Sequence, residues 1–285
     1  MGTTRVTRTR VAAAAVTLAE AGVASPRVDA ELLAASVLGI PRTRLVLAPD
    51  LDDEASRRFD QLVDRRAARE PLQHLVGSAV LGPVSVGVGP GVFVPRPETE
   101  LLLTEAVAAL RATGEPRVVD LCTGSGALAL AIATARPDAE VHAVEVDPEA
   151  LAWAARNLAD ARVRLHEGDV TAPGTLAALD GTVDLVVANP PYVPEGTPVS
   201  AEVDHDPANA VFAGPDGLAV IRPLALTAAR LLRPGGRLAV EHDESHAPEV
   251  LAVLEGAGFT ELATRIDLTG RPRVAVGTRS LRSAP

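Results

Sequence analysis

Val118-Val119-Asp120-Leu121-Cys122-Thr123-Gly124-Ser125-Gly126-Ala127-Leu128-Ala129 reads as a buried strand, a glycine-rich turn and the opening of a helix. Outward from this stretch the same alternation continues. Short apolar runs predict strands at 117–121, 140–145, 162–166, 183–188, 236–241, 260–266 and 273–278. Helical periodicity predicts helices at 126–135, 148–159, 217–232 and 246–257, and a further one opening after Pro95-Arg96-Pro97-Glu98-Thr99-Glu100 and running through Leu101, Leu102, Val107 and Leu110. Strands alternating with helices imply an α/β fold whose mostly parallel sheet carries helices on both faces. Sheets of that kind place their ligand crevice at the carboxyl ends of the strands.

The glycine turn by itself leaves the ligand open. Gly124, Gly126 and Ala129 satisfy the relaxed dinucleotide pattern G-x-G-x-x-A, and Glu145 ends the second strand roughly 20 residues further on, where an acid holds ribose hydroxyls. Two features favour S-adenosylmethionine. Asp120 at the strand end completes D-x-x-x-G-x-G, and Gly168-Asp169-Val170 follows the third strand, where Asp169 is a candidate for the adenine end. The fourth strand, Val183 to Ala188, then runs into Asn189-Pro190-Pro191-Tyr192. Each proline fixes its own φ, and the second also restricts the residue before it, so the chain leaves this strand stiffly. The Asn189 side-chain carbonyl and the Pro190 main-chain carbonyl are two fixed acceptors side by side, suited to holding a planar –NH2 by both hydrogens. Methyltransferases acting on amide or exocyclic amine nitrogens carry this tetrapeptide.

Composition narrows the class. The 285 residues suffice for a full α/β domain and a smaller one, and 47% hydrophobic with 22% charged residues is an ordinary globular balance. Every basic side chain apart from histidine is arginine, and aromatics make up only 2%, so Ala, Val and Leu must build the core. The net charge of −10 argues against a large non-specific nucleic-acid footprint. One cysteine, Cys122, excludes an internal disulfide and a cysteine zinc knuckle; His205 and His242 sit in polar sequence without HExxH or CxxC spacing, so no metal is expected. Arg8 and Arg10 precede an apolar stretch from Val11 to Ala19, but Thr17 interrupts it and the pattern continues as a helix, so a cytoplasmic protein is expected.

Residues 1–75 read as a helical domain. Val11, Ala15, Leu18 and Val23 fall on one face, Ala30, Leu33, Ala34 and Val37 on the next, with Gly39 and Pro41 as a stop. Asp52-Asp53-Glu54 suit the first turn of a third helix through Phe59, Leu62, Val63 and Ala67. Its arginines, Arg57, Arg58, Arg65 and Arg66, with Arg69 beyond, read as a solvated face paired with nearby acids, and alternatively as a docking surface. Residues 76–94, punctuated by Gly82-Pro83 and Gly89-Pro90-Gly91, read as a β-hairpin linker, leaving 95–285 as the α/β domain.

Across nearly its full length the chain resembles the HemK/PrmC family, the peptide chain release factor N(5)-glutamine methyltransferases. The resemblance rests on Glu70-Pro71-Leu72-Gln73-His74-Leu75-Val76-Gly77, Val92-Phe93-Val94-Pro95-Arg96-Pro97-Glu98-Thr99-Glu100, the glycine turn, Ala143-Val144-Glu145, Asn189-Pro190-Pro191-Tyr192 with Val193-Pro194, Glu241-His242 and Gly270-Arg271-Pro272-Arg273. It implies a Rossmann-like, seven-strand class I methyltransferase domain behind a small helical domain and hairpin linker. It also implies S-adenosylmethionine as cofactor and, as substrate, the glutamine of the Gly-Gly-Gln loop in bacterial class I release factors. Residue by residue, Asp120, Cys122, Thr123, Gly124, Ser125, Gly126, Glu145, Asp169 and Asn189 would meet the cofactor. Asn189, Pro190, Pro191 and Tyr192 would bind the glutamine, with Asn189, Pro190 and Tyr192 catalytic. Cys122 replaces the family's first loop glycine and is therefore expected at negative φ. Val170 stands where an aromatic is often found. The alternatives are a glutamine methyltransferase of a large-subunit ribosomal protein and an adenine N(6)-methyltransferase of nucleic acid. The second normally carries a basic, aromatic-bearing recognition region, which this acidic chain lacks; no nucleic-acid substrate and no membrane are expected.

Overall fold

The computed structural model describes residues 4–281, and the chain forms two units: Met1–Ser78 joined by Val199–His205, and Ala79–Pro198 with Asp206–Pro285. In the first, α1 (Thr4–Glu20), α2 (Pro26–Leu38), α3 (Asp53–Ala67) and α4 (Leu72–Val76) bury Leu18, Leu33 and Phe59 among alanines and valines. The helix signals act as read. Gly39 at φ 64 ends α2 in a left-handed cap, and the Asp52 side chain accepts from Ala55 N at 2.8 Å to open α3. Arg66 departs from the expectation of a solvated face. It is buried, bonded to Asp29 at 2.8 Å and to Glu202 at 3.0 Å, and Arg69 grips the same Glu202 at 2.7 Å. A buried guanidinium needs full pairing, and one of its two carboxylates comes from the distant segment Val199–His205, which no local pattern discloses. Arg65 pairs with Glu70, while Arg57 and Arg58 are exposed.

The second unit begins with β1 (Ser78–Leu81) and β2 (Val84–Gly87), a two-stranded sheet turning at Gly82-Pro83, followed by α5 (Thr99–Ala109). Then come β3 (Arg117–Leu121), α6 (Ala127–Ala135), β4 (Glu140–Glu145), α7 (Pro148–Asn157), β5 (Val163–Glu167), β6 (Val183–Ala188), α8 (Ala208–Val211), α9 (Ile221–Leu231), β7 (Leu232–Glu241), α10 (Ala247–Gly256), β8 (Phe259–Ile266) and β9 (Pro272–Arg279). The seven-stranded sheet has the order β5-β4-β3-β6-β7-β9-β8; β3 to β7 pair in parallel and β9 runs antiparallel to both of its neighbours. One face packs against α5, α6 and the β1-β2 sheet, the other against α9 and α10. This is the Rossmann-like, seven-strand α/β fold the sequence implied.

Most boundaries fall within two residues of the sequence reading, and two differ by four. The helix expected from Gly217 starts at Ile221, because Gly217 lies at φ +70 with the Tyr192 carbonyl against it: a Cβ there would sit 2.3 Å from that oxygen. The strand expected from 236 starts at Leu232, because Leu232 already pairs with Val183, and the register then shifts before Leu185 meets Arg237. Among the described residues, no helix is long and apolar enough to cross a membrane.

Candidate active site

The strand order reverses between β3 and β6, which is where an open parallel sheet leaves a crevice at its carboxyl edge. Register brings the separate motifs to that edge. Leu121 lies beside Val144 on β4 and Ala188 on β6, and Ala188 lies beside Val240 on β7. The glycine turn, Glu145, Asn189 and Glu241 therefore leave four adjacent strands at one level.

The glycine turn is held from three sides. Glu145 accepts from Gly124 N at 2.8 Å with one oxygen, and from Val146 N and Asp147 N, both at 2.9 Å, with the other. Thr123 donates to the buried Asp120 at 2.6 Å, and Asn157 donates to Ser125 O at 2.8 Å while bonding Gly87 of β2 through both side-chain atoms. Asn157 is a positioning residue the sequence did not disclose; its amide ties turn, helix and hairpin together. Cys122 stands at φ 64, correcting the expectation of negative φ. The turn keeps the left-handed geometry that a glycine would adopt freely, because Thr123 N must reach Val144 O at 2.9 Å while Gly124 reaches Glu145. A non-glycine residue in this conformation carries roughly 1–2 kcal/mol of strain. Burial, then the carboxylates of Glu145, Asp120 and Asp169, push the Cys122 thiol up, so it stays protonated and unreactive.

These residues fit S-adenosylmethionine. Asp120 keeps one buried oxygen, Oδ1, without a close hydrogen bond, and burial followed by the nearby Glu145 charge raises its carboxyl to about 7 despite the Thr123 hydroxyl and the Ala129 backbone N–H. A side chain at Gly124 would project into open space, so the turn presents bare backbone towards the crevice. Carboxylates at the ends of β3 and β4 suit a ligand carrying ribose hydroxyls and cationic groups. Asp169 is exposed, and its Oδ1 accepts from Thr171 N and Oγ1 at 2.8 and 2.7 Å, closing a local turn. The Val170 side chain is buried in the core.

At the end of β6, the Asn189 amide nitrogen donates to Thr99 Oγ1, on the first residue of α5, at 3.2 Å, and Pro190 is buried. Tyr192 is half-buried and donates from its hydroxyl to Glu241 Oε1 at 3.2 Å; burial and then the Glu241 charge raise its pKa, so it remains a neutral phenol. Past the tetrapeptide, Val193 exchanges backbone bonds with Val211 and Ala213. The Asp206 carboxylate, buried, accepts from Val94 N at 3.2 Å and from Arg96, fastening the Val92–Glu100 segment beside this loop. Sequence reasoning named Arg96 only as part of a motif and missed Thr99, Asp206 and Glu241 as partners; Thr99 and Glu241 lay within quoted motifs, but only tertiary contact assigns them a task. His242, read in a polar context, is buried, with Nδ1 beside Asp243 O at 2.7 Å.

Comparison with known proteins agrees with this geometry. The PrmC N-terminal domain family matches residues 11–77, and the Methyltransferase small domain family matches residues 90–206. A release factor glutamine methyltransferase of Mycolicibacterium smegmatis is 56% identical, covering 97% of this chain and 99% of its own length. One of Streptomyces coelicolor is 50% identical, covering 95% and 97%. Among solved structures, the 16S rRNA N2 methyltransferase RsmC of Thermus thermophilus, determined with AdoMet and guanosine, shares the fold at a TM-score of 0.50 and 23% identity, covering 71% of this chain and 49% of that one. With near-complete coverage at such identities, this chain belongs to the release factor glutamine methyltransferase family.

Proposed function

We propose that this enzyme transfers a methyl group from S-adenosylmethionine to the side-chain amide nitrogen of the glutamine in the Gly-Gly-Gln loop of bacterial class I release factors. The observation that carries the assignment is the Asn189 amide at the switch point of the sheet. Its NH2 is committed to Thr99, which directs Oδ1 the other way as an acceptor. A glutamine NH2 has two hydrogens, and Oδ1 of Asn189 with the carbonyl of Pro190 would take one each. Asp120, the Cys122–Gly126 turn, Glu145 and Asp169 would hold S-adenosylmethionine, which would supply an electrophilic methyl.

An amide nitrogen is a weak nucleophile because its lone pair is delocalised into the carbonyl. The two acceptors hold that nitrogen at near-attack distance and stabilise positive charge growing on it as the new bond forms. The buried Pro190 and the neutral phenol of Tyr192 keep water from the reacting pair. No strong base is needed, because an alkylated amide nitrogen sheds its proton readily. The protein partner is read by the helical unit: α3 carries a groove of about 470 Å³ lined by the charged Arg58, Asp64 and Arg65, the amide of Gln61 and the apolar Leu62 and Leu75. Specificity for one glutamine in one protein needs binding surface remote from the methyl.

Transfer of radiolabelled methyl from S-adenosylmethionine to purified release factor, ribosomal protein and DNA separates the readings. Labelling confined to the release factor is expected, and should be lost in the Gly-Gly-Gln glutamine-to-alanine substrate. In Asn189→Ala, turnover should fall about a hundredfold or more, as when one oriented transition-state contact is removed, while cofactor affinity changes little.

A further inference from the structure

Glu241 is buried at 1% exposure at the end of β7, next to the amide loop, and nothing in the reaction described above uses it. Its Oε1 accepts from the Tyr192 hydroxyl at 3.2 Å, and its Oε2, equally buried, makes no close hydrogen bond. The Thr99 hydroxyl approaches the same carboxyl, and with that of Tyr192 favours its charged form. Thr99 is also the residue that takes the Asn189 NH2 at 3.2 Å. Glu241, Thr99 and Asn189 thus form one chain of contacts ending at the proposed glutamine site, with Tyr192 as a second branch.

A hydroxyl has one proton to place. Beside a carboxylate, which only accepts, the Thr99 proton turns towards Glu241. Its oxygen then faces Asn189 as an acceptor alone, so only the NH2 end of Asn189 can meet it, and Oδ1 points to the substrate. Beside a protonated carboxyl the order reverses. Glu241 donates to Thr99, Thr99 is free to donate to Asn189, and the amide, whose two ends are nearly the same shape, can turn its oxygen inward. The loop would then meet the substrate NH2 with a second NH2. We propose that Glu241 is a positioning residue whose ionised form sets, through Thr99, which end of the Asn189 amide faces the substrate. The inference rests on Asn189 being the amide anchor.

The charged and titratable groups around Glu241 are Tyr192, Glu98 and Arg273. Burial, opposed by the Thr99 and Tyr192 hydroxyls and by Arg273 and reinforced by Glu98, brings the carboxyl to about 7, so it changes state near neutrality. Turnover should therefore climb with pH as Glu241 ionises.

The test uses the full-length enzyme on whole release factor, with kcat and KM followed across that range for the wild type, Glu241→Gln, Thr99→Val, Thr99→Ser and Asn189→Ala. Cofactor affinity is read by calorimetry and fold by circular dichroism. In Glu241→Gln, kcat should fall roughly tenfold and lose its rise through neutral pH, with KM and cofactor affinity within about twofold. Thr99→Val should show a comparable kcat loss and Thr99→Ser should recover it. A Glu241→Gln enzyme that keeps the wild-type kcat and its rise, or a Thr99→Val enzyme that turns over normally, overturns the inference while leaving the amide anchor intact. Full turnover in Asn189→Ala overturns both. Should Glu241→Gln fail to fold, the Thr99 pair, which leaves the carboxyl in place, decides alone.

Discussion

Single residues at this crevice are held by more than their visible roles suggest. Cys122 occupies a left-handed conformation beside three acidic groups without being a reactive thiol. Cys122→Gly should accordingly raise stability by up to about 1 kcal/mol, the relief of strain being partly offset by the greater freedom of glycine in the unfolded chain; denaturant titration measures it, and a clear loss would mean that the thiol's packing outweighs the strain. Glu145 was expected as the ribose acid, and it also clamps Gly124 N and two further backbone amides. Glu145→Ala should weaken S-adenosylmethionine by at least the ~1.5–3 kcal/mol of one charge-assisted hydrogen bond. Unchanged affinity in calorimetric titration would place the ribose elsewhere.

At the level of elements, the fold was legible wherever strands are buried on both faces. Val118-Val119 and Val183 to Ala188 are apolar runs without alternation, and β3, β4 and β6 span 117–121, 140–145 and 183–188 as read from the sequence. Legibility failed where an element's limit depends on a distant segment. Gly217 looks like an ordinary helix start until the Tyr192 carbonyl is placed against it. Gly217→Ala should therefore act on the amide loop rather than on α9. The added methyl forces Tyr192 O away at a left-handed position, and kcat should drop about tenfold or more from the displaced anchor, with the melting point lowered and cofactor affinity nearly kept. Wild-type kcat in that variant would show that the loop tolerates the shift. The candidate site divides the same way. Asp120, Glu145 and Asn189 were readable because each ends a strand, whereas Thr99, Asn157 and Glu241 are defined only by what they touch.

Over the whole molecule, paired and buried carboxyls make stability depend on pH in opposite senses. In the helical unit, burial opposes but hydrogen bonds from Arg69 and Arg66 outweigh it, holding Glu202 at about 2. A carboxyl lowered on folding stabilises the native state above its unfolded value near about 4.3 and loses that contribution as pH falls towards 2. In the sheet unit, Asp120 and Glu241 are raised to about 7. That stability is complete below the unfolded carboxyl range and is lost as pH rises through 7. The single tryptophan, Trp153, lies in the sheet unit, so its fluorescence reports that unit while far-ultraviolet circular dichroism reports both. Followed by that fluorescence, Glu241→Gln should raise the melting point above pH 7 more than below pH 5; equal shifts at both pH values would contradict this. The Glu202 clamp also bears on how the gene can be cut. Part of the helical unit is encoded far downstream, shortly after the codons for the amide loop, so the unit is not a contiguous cassette. A chimaera that exchanges only the first 78 codons with a relative leaves the host's Glu202 facing foreign arginines, whereas one that also carries codons 199–205 keeps Glu202 matched to Arg66 and Arg69. Recombination between paralogues is thereby constrained to two simultaneous crossover blocks, and libraries built by shuffling should respect both.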